Sequence, residues 1–143
     1  MTPPLSPSIE DVEIYKKNLL DGSTLLLGST KELLGICDQA LDIDPVYPNE
    51  KIIIGDWLDN KDFYTNIIGD GILNFSDSLC HELLDMAEKN CNNFIVRAFN
   101  YKMPIMRIAQ YFPTEESFKS APQVIYQNKE YSFFKWTFSQ IRP

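Results

Sequence analysis

Thr24-Leu25-Leu26-Leu27-Gly28 is the stretch on which the fold turns. A short run that is apolar on both faces and closed by glycine reads as a strand buried on both sides, the signature of a parallel sheet. Similar segments recur downstream. Ala40-Leu41-Asp42-Ile43-Asp44 is stopped by Pro45 and Pro48, and Lys51-Ile52-Ile53-Ile54-Gly55-Asp56, Thr65-Asn66-Ile67-Ile68-Gly69-Asp70-Gly71 and Phe94-Ile95-Val96-Arg97-Ala98-Phe99 follow. Gly28, Asp42, Asp56 and Asp70 stand 14 residues apart. Parallel crossovers need about a dozen residues or more, so these units are close to the minimum.

Helical signals lie before and between the strands. Ser8 followed by Asp11 forms a capping box, and Ile9, Val12, Tyr15 and Leu19 keep helical spacing. This predicts a helix over about 9–20, closed by Asp21-Gly22. Lys31-Glu32-Leu33-Leu34 allows one or two turns. Ser76 or Ser78 caps a helix over about 77–90, with Leu79, Leu83, Leu84 and Ala87 on its inner face. Residues 100–113 are broken by Pro104 and Pro113, and 114–121 reads as a short helix. Val124-Ile125-Tyr126 and the aromatic run Tyr131 to Phe138 flank Asn128-Lys129 as an antiparallel hairpin. The expected architecture is α/β, Rossmann-like, with a mostly parallel seven-strand sheet and an antiparallel C-terminal hairpin. Residues 1–8, with Pro3, Pro4 and Pro7, are expected to be a flexible segment, and 9–143 a single domain.

Composition narrows the function. At 143 residues, 44% hydrophobic and 23% charged, the chain buries a core without staples and is not a disordered scaffold. A net charge of −7 weighs against nucleic acid as a partner. Residues 1–71 hold 5 basic and 13 acidic side chains, while 72–143 hold 8 and 7, which reads first as a solvated acidic rim and, functionally, as a site that prefers cationic or neutral acceptors over phosphorylated ones. No apolar run reaches the ~20 residues of a membrane span, and the N-terminus does not read as a secretory signal. Cys37, Cys80 and Cys91 have neither disulfide nor zinc spacing, so reduced thiols and a cytoplasmic location are expected. His81 is the only histidine, and its place early in a helix suits a solvated role. The aspartates match no dedicated metal loop, so no metal is expected. Core packing accounts for most of the aromatic tail, and its exposed remainder offers a surface for a homodimer.

The ends of the strands carry the chemistry, because ligands of open α/β sheets bind beyond their carboxyl ends. Four successive ends read Gly28-Ser29-Thr30, Asp42-Ile43-Asp44, Gly55-Asp56-Trp57 and Gly69-Asp70-Gly71. Glycine lets backbone approach a ligand, a carboxylate after the second strand can accept both hydroxyls of a ribose, and an Asp–Trp pair can bond an adenine and cover its face.

From Thr24 to Phe99 the sequence resembles the class I S-adenosylmethionine-dependent methyltransferases. The likeness is to small members with Gly-x-Thr-Pro-Glu-Leu, here Gly28-Ser29-Thr30-Lys31-Glu32-Leu33, with Asp-x-Asp-Pro, here Asp42 to Pro45, and with Gly-Asp-Trp-Leu, here Gly55 to Leu58. Gly-Asp-Gly with a downstream Asn appears as Gly69-Asp70-Gly71 and Asn74. The commoner acidic, glycine-rich loop of the family is altered: Leu26 stands at the acid's position, and Thr30 and Glu32 at later glycines. The resemblance implies S-adenosylmethionine as cofactor. Gly28, Ser29 and Thr30 would pass beside the methionine and ribose. Asp42, with Ile43 beside it, would take the ribose hydroxyls, and Asp56 and Trp57 would bracket the adenine. Asp70, Gly71 and Asn74 would face the methionine end and the acceptor. The implied activity is methyl transfer to N, O or S of a small molecule, with Asp70 and Tyr15 as candidate catalytic bases. Two alternatives stay open: an inactive methyltransferase-like domain serving as a regulatory or partner subunit, and an enzyme using the same cofactor for another reaction.

Overall fold

A computed structural model describes residues 6–72, 77–99 and 122–138, with backbone alone over 77–80. The elements are α1 (Ile9–Lys17), β1 (Thr24–Leu27), β2 (Gln39–Asp42), β3 (Ile52–Ile54), β4 (Tyr64–Asp70), α2 (Asp77–Asn90), β5 (Cys91–Phe99), β6 (Gln123–Gln127) and β7 (Tyr131–Thr137). They build one seven-stranded sheet in the order β3-β2-β1-β4-β5-β7-β6. The first five strands pair in parallel, and β7 runs antiparallel between β5 and β6. This is the α/β architecture expected from the apolar runs. The expected short helix over 114–121 lies outside the described residues.

The crossovers are as lean as their length implies. The β1–β2 connection holds a 3-10 turn, Lys31–Ile36, and the β3–β4 connection a shorter one, Trp57–Asp59. Residues 43–51 join β2 to β3 with no helix. With no helix there and, among the described residues, no strand beyond it, β3 is an exposed edge, and Ile54 is 72% exposed despite its apolar sequence.

Strand alternation sorts the core into two faces. Leu25, Leu27, Phe94, Val96, Phe134 and Trp136 pack against Leu83, Leu84 and Ala87 of α2. Leu26, Ile68, Ile95 and Phe133 pack against Tyr15 of α1 and Leu33 and Leu34 of the first turn. Phe133, Phe134, Trp136 and Phe138 are buried, so the aromatic tail is largely core, with Tyr126 and Val124 left exposed on β6.

The face under α1 is tiered. At the amino ends of the strands lie the buried amides Asn66 and Asn93, register partners on β4 and β5. Asn66 Nδ2 donates to Leu20 O at 2.9 Å, its Oδ1 accepts from Leu20 N at 2.9 Å, and Asn93 Nδ2 donates to Asn18 O at 2.8 Å. These bonds dock the segment that feeds α1 into β1. The apolar tier follows, and at the carboxyl ends stand Asp70 and Arg97, again register partners.

Helix α1 is shorter than the expected 9–20. Asn18 caps it, with its backbone N–H turned back to Tyr15 and Lys16 carbonyls and its Nδ2 donating to Ile14 O at 2.8 Å. At its start the capping box forms as read: Asp11 N donates to Ser8 Oγ at 3.1 Å and Ser8 N to Asp11 Oδ2 at 2.9 Å. Of the segment 1–8, Pro7 is buried and Ser8 is bonded, and residues 1–5 lie outside the described residues.

Gly22 turns the chain into β1 with φ +138°, and a Cβ there would lie 2.1 Å from Thr65 Oγ1 on β4. Both conformation and space are restricted to glycine. Gly22→Ala is expected to cost about 2 kcal/mol or more, read as a lowered midpoint in chemical denaturation with unchanged slope.

Candidate functional site

The loops after β1, β2 and β3 meet at the carboxyl end of the sheet and are tied by their own polar groups. Gly28 adopts φ +106°, and a Cβ built on it would meet only Trp57 Cζ2, at 3.9 Å. Its N–H donates to Leu41 O at 2.8 Å. The same carbonyl accepts from Trp57 Nε1 at 2.7 Å, so this indole braces the end of β2 from the loop after β3. Ser29 Oγ donates to Asp42 Oδ2 at 2.6 Å, and Asp42 Oδ1 accepts from Asp44 N at 3.0 Å. Gly55 N donates to Asp42 O at 3.2 Å. The Tyr47 hydroxyl donates to Ser29 O and so holds the first loop from the β2–β3 connection. Asp56 Oδ1 accepts from Leu58 N at 2.9 Å and caps the turn Trp57–Asp59.

The structure brings Gly28, Ser29, Asp42 and Trp57 together and divides the remaining expected residues. Ser29, Thr30 and Asp70 line a cavity of about 390 Å³ with Ser6, Pro7 and Tyr47. Lys31 and Glu32 are exposed at its wall. Asp56 lines a different cavity of about 310 Å³, over Leu25, Leu41 and Ile53. Ile43 is 67% exposed beside Asp42. Gly71, with φ +75°, is buried and donates its N–H to Arg97 O at 2.8 Å. Asn74 lies outside the described residues. Among the described residues, no group of three or more His, Cys, Asp or Glu side chains is placed to hold a metal ion, and no helix is long and apolar enough to cross a membrane. Cys37 and Cys91 are buried thiols, and burial pushes Cys37 up to about 12.

Tyr15 and Asp70, 55 residues apart, are in contact: the Tyr15 hydroxyl donates to Asp70 Oδ1 at 2.7 Å. A third residue organises them. Arg97 Nε donates to Asp70 Oδ1 at 2.8 Å and Nη2 to Oδ2 at 2.9 Å, a two-pronged grip. Its Nη1 reaches Asp11 Oδ2 on α1 at 3.0 Å. The Tyr131 hydroxyl donates to Asp11 Oδ1 at 2.7 Å, and its ring lies 4.8 Å under the Arg97 guanidinium. Sequence reading missed Arg97, Asp11 as a core residue, and Tyr131. The signal was present at Arg97, a lone charge inside a run apolar on both faces, which cannot stay buried without partners.

Burial raises Asp70 above the ordinary carboxylate range, against the opposing pull of Arg97. Burial, and then the Asp70 charge, raise Tyr15, which therefore keeps its proton and serves as a donor.

The fold finds clear counterparts among solved structures. The chain superposes on magnesium protoporphyrin IX methyltransferase from Synechocystis with bound SAM, at TM-score 0.60 and 11% identity over 90% of this chain and 76% of that one. This is the class I methyltransferase fold. The methyltransferase domain of bacterial CtHen1 matches at TM-score 0.64 and 9% identity, covering 88% and 94% of the two chains. A 16S rRNA N2 methyltransferase of T. thermophilus, in complex with AdoMet and guanosine, matches at TM-score 0.60 and 10% identity, covering 92% of this chain and 39% of that one. No protein-family model and no curated protein matches the sequence.

Within this methyltransferase fold Asp70 has a testable pH signature. A carboxyl raised in the folded state favours folding when protonated, and that contribution is lost as pH rises through the raised value. Asp70→Asn, which mimics the protonated group, should gain on the wild type as pH rises from about 4 and then hold a constant difference, read by urea denaturation at stepped pH.

Proposed function

We propose that the chain binds S-adenosylmethionine at the carboxyl end of β1 and β2 and transfers its methyl group to a small-molecule acceptor through N, O or S. The observation that carries this reading is the pairing of Ser29 with Asp42 beside a left-handed Gly28, on the strands where an open α/β sheet takes its ligands. Each Asp42 oxygen already accepts one hydrogen bond and keeps a second acceptor position for a ribose hydroxyl. The exposed Ile43 supplies apolar surface beside it. The open space at Gly28 is the kind a backbone needs to approach a ligand. These residues fit the cofactor.

When bound, S-adenosylmethionine supplies an electrophilic methyl on a positively charged sulfur. The protein's part is to orient and to exclude water, which can account for much of such a transfer without a general base. Ser29 and Tyr47 hold the first loop, Trp57 braces the second strand end, and Asp70 adds a negative charge at the wall of the 390 Å³ cavity. Tyr15, fully buried and donating to Asp70, positions that carboxylate rather than acting as a base. The net charge of −7 and its concentration in residues 1–71 support a cationic or neutral small acceptor over a nucleic acid.

Titration calorimetry with S-adenosylmethionine and S-adenosylhomocysteine tests the reading. Micromolar binding is expected, and Asp42→Ala should weaken it about tenfold or more, as loss of charge-assisted hydrogen bonds does. A flat titration to millimolar ligand would instead favour the regulatory-subunit alternative.

A further inference from the structure

Two carboxylates share one guanidinium under α1. The side chains of Arg97, Asp11 and Asp70 are 1%, 3% and 5% exposed. The other hydrogen-bond partners of the carboxylates are neutral: the Tyr15 hydroxyl on Asp70, and the Ser8 N–H and Tyr131 hydroxyl on Asp11. The trio therefore holds one negative charge in excess, in an interior that screens it weakly. Asp70 is the member that also lines the 390 Å³ cavity. Among the described residues of that lining the cation is Lys31, and it is exposed. Ser6 and Pro7 also line it, and they lead into the helix that Asp11 fastens.

We propose that Arg97 and Asp11 are positioning residues of the groove: they lock α1 to the carboxyl ends of β4 and β5 and present, at Asp70, a fixed negative wall that selects a positively charged group on the ligand. Arg97 fixes the orientation of Asp70 through its two-pronged grip. Asp11 adds the second negative charge and ties the helix to the same guanidinium. A ligand cation at the wall completes the charge balance, so seating the ligand and seating α1 favour one another. The identity of the ligand rests on the cofactor reading above; the selection for positive charge does not.

The test compares a sulfonium with the thioether that lacks only the methyl and its charge. Dissociation constants for S-adenosylmethionine and S-adenosylhomocysteine are measured on wild type and Asp11→Asn, with amide exchange of residues 8–17 followed in parallel. Asp11→Asn removes a charge that lies outside the cavity lining. It should weaken S-adenosylmethionine about tenfold and S-adenosylhomocysteine less than about twofold, with faster exchange in α1. Asp70→Asn should move the ratio the same way and stands in if Asp11→Asn does not fold. Tyr131→Phe, which changes no charge, should speed exchange in α1 and leave the ratio unmoved. Equal weakening of both ligands overturns the proposal, because a merely structural brace does not tell a sulfonium from a thioether. If wild type binds neither, the cofactor reading fails, and S-methylmethionine against methionine decides the charge selection: preference for the sulfonium supports it, and binding of neither overturns it.

Discussion

The Arg97 guanidinium, held between Asp70 and Asp11, is the interaction on which the rest of the structure depends. A charged side chain on a central strand costs several kcal/mol to desolvate, and its partners must recover that. Here the partners come from different parts of the chain: Asp70 from the neighbouring strand, itself bonded by Tyr15 of α1, Asp11 from α1, and Tyr131 from the last hairpin. Removing one partner of a buried ion pair typically costs about 3–5 kcal/mol, because the other charge is left buried without compensation. The trio therefore specifies where α1 sits more sharply than apolar contacts alone, since the direction of a guanidinium fork is fixed and that of a leucine is not.

The same face shows how a short helix is held along its whole length. At one end amides of Asn66 and Asn93 receive the chain as it leaves α1, in the middle Tyr15 meets Phe133 edge to face at 4.9 Å, and at the other end Asp11 meets Arg97. The polar tiers at both ends fix the register of the helix along the strands, and the apolar tier supplies the buried area. Because the charged tier coincides with the carboxyl ends of β4 and β5, holding the helix and shaping the groove are one arrangement.

Economy elsewhere has a visible consequence. Crossovers of minimal length leave no helix between β2 and β3, so the loops at the strand ends must stabilise one another. They do so through Ser29 with Asp42, Tyr47 with Ser29, and Trp57 with Leu41. A tryptophan that the motif assigns to an adenine thus has its indole N–H committed to backbone. The acidic residues divide likewise, with Asp42 bonded to the first loop, Asp70 lining the cavity beside that loop, and Asp56 lining a different one.

The sequence by itself determined the strands, their parallel order of succession, the capping box of α1 and the positions at which polar groups leave the sheet. These follow from local quantities: apolar runs, glycine and proline punctuation, and a Ser and an Asp three residues apart. The turn Lys31–Ile36 was legible, but the turn Trp57–Asp59, the exposed β3 edge and the early end of α1 were not, because each depends on what a neighbouring segment leaves uncovered or supplies as a cap. Tyr15 and Asp70 were readable as polar groups near the site, but their contact was not. Only the tertiary structure decided that, and for a physical reason: a buried charge is settled by whichever partners the topology carries to it. For Arg97 those partners lie 27 residues away in Asp70 and 86 in Asp11.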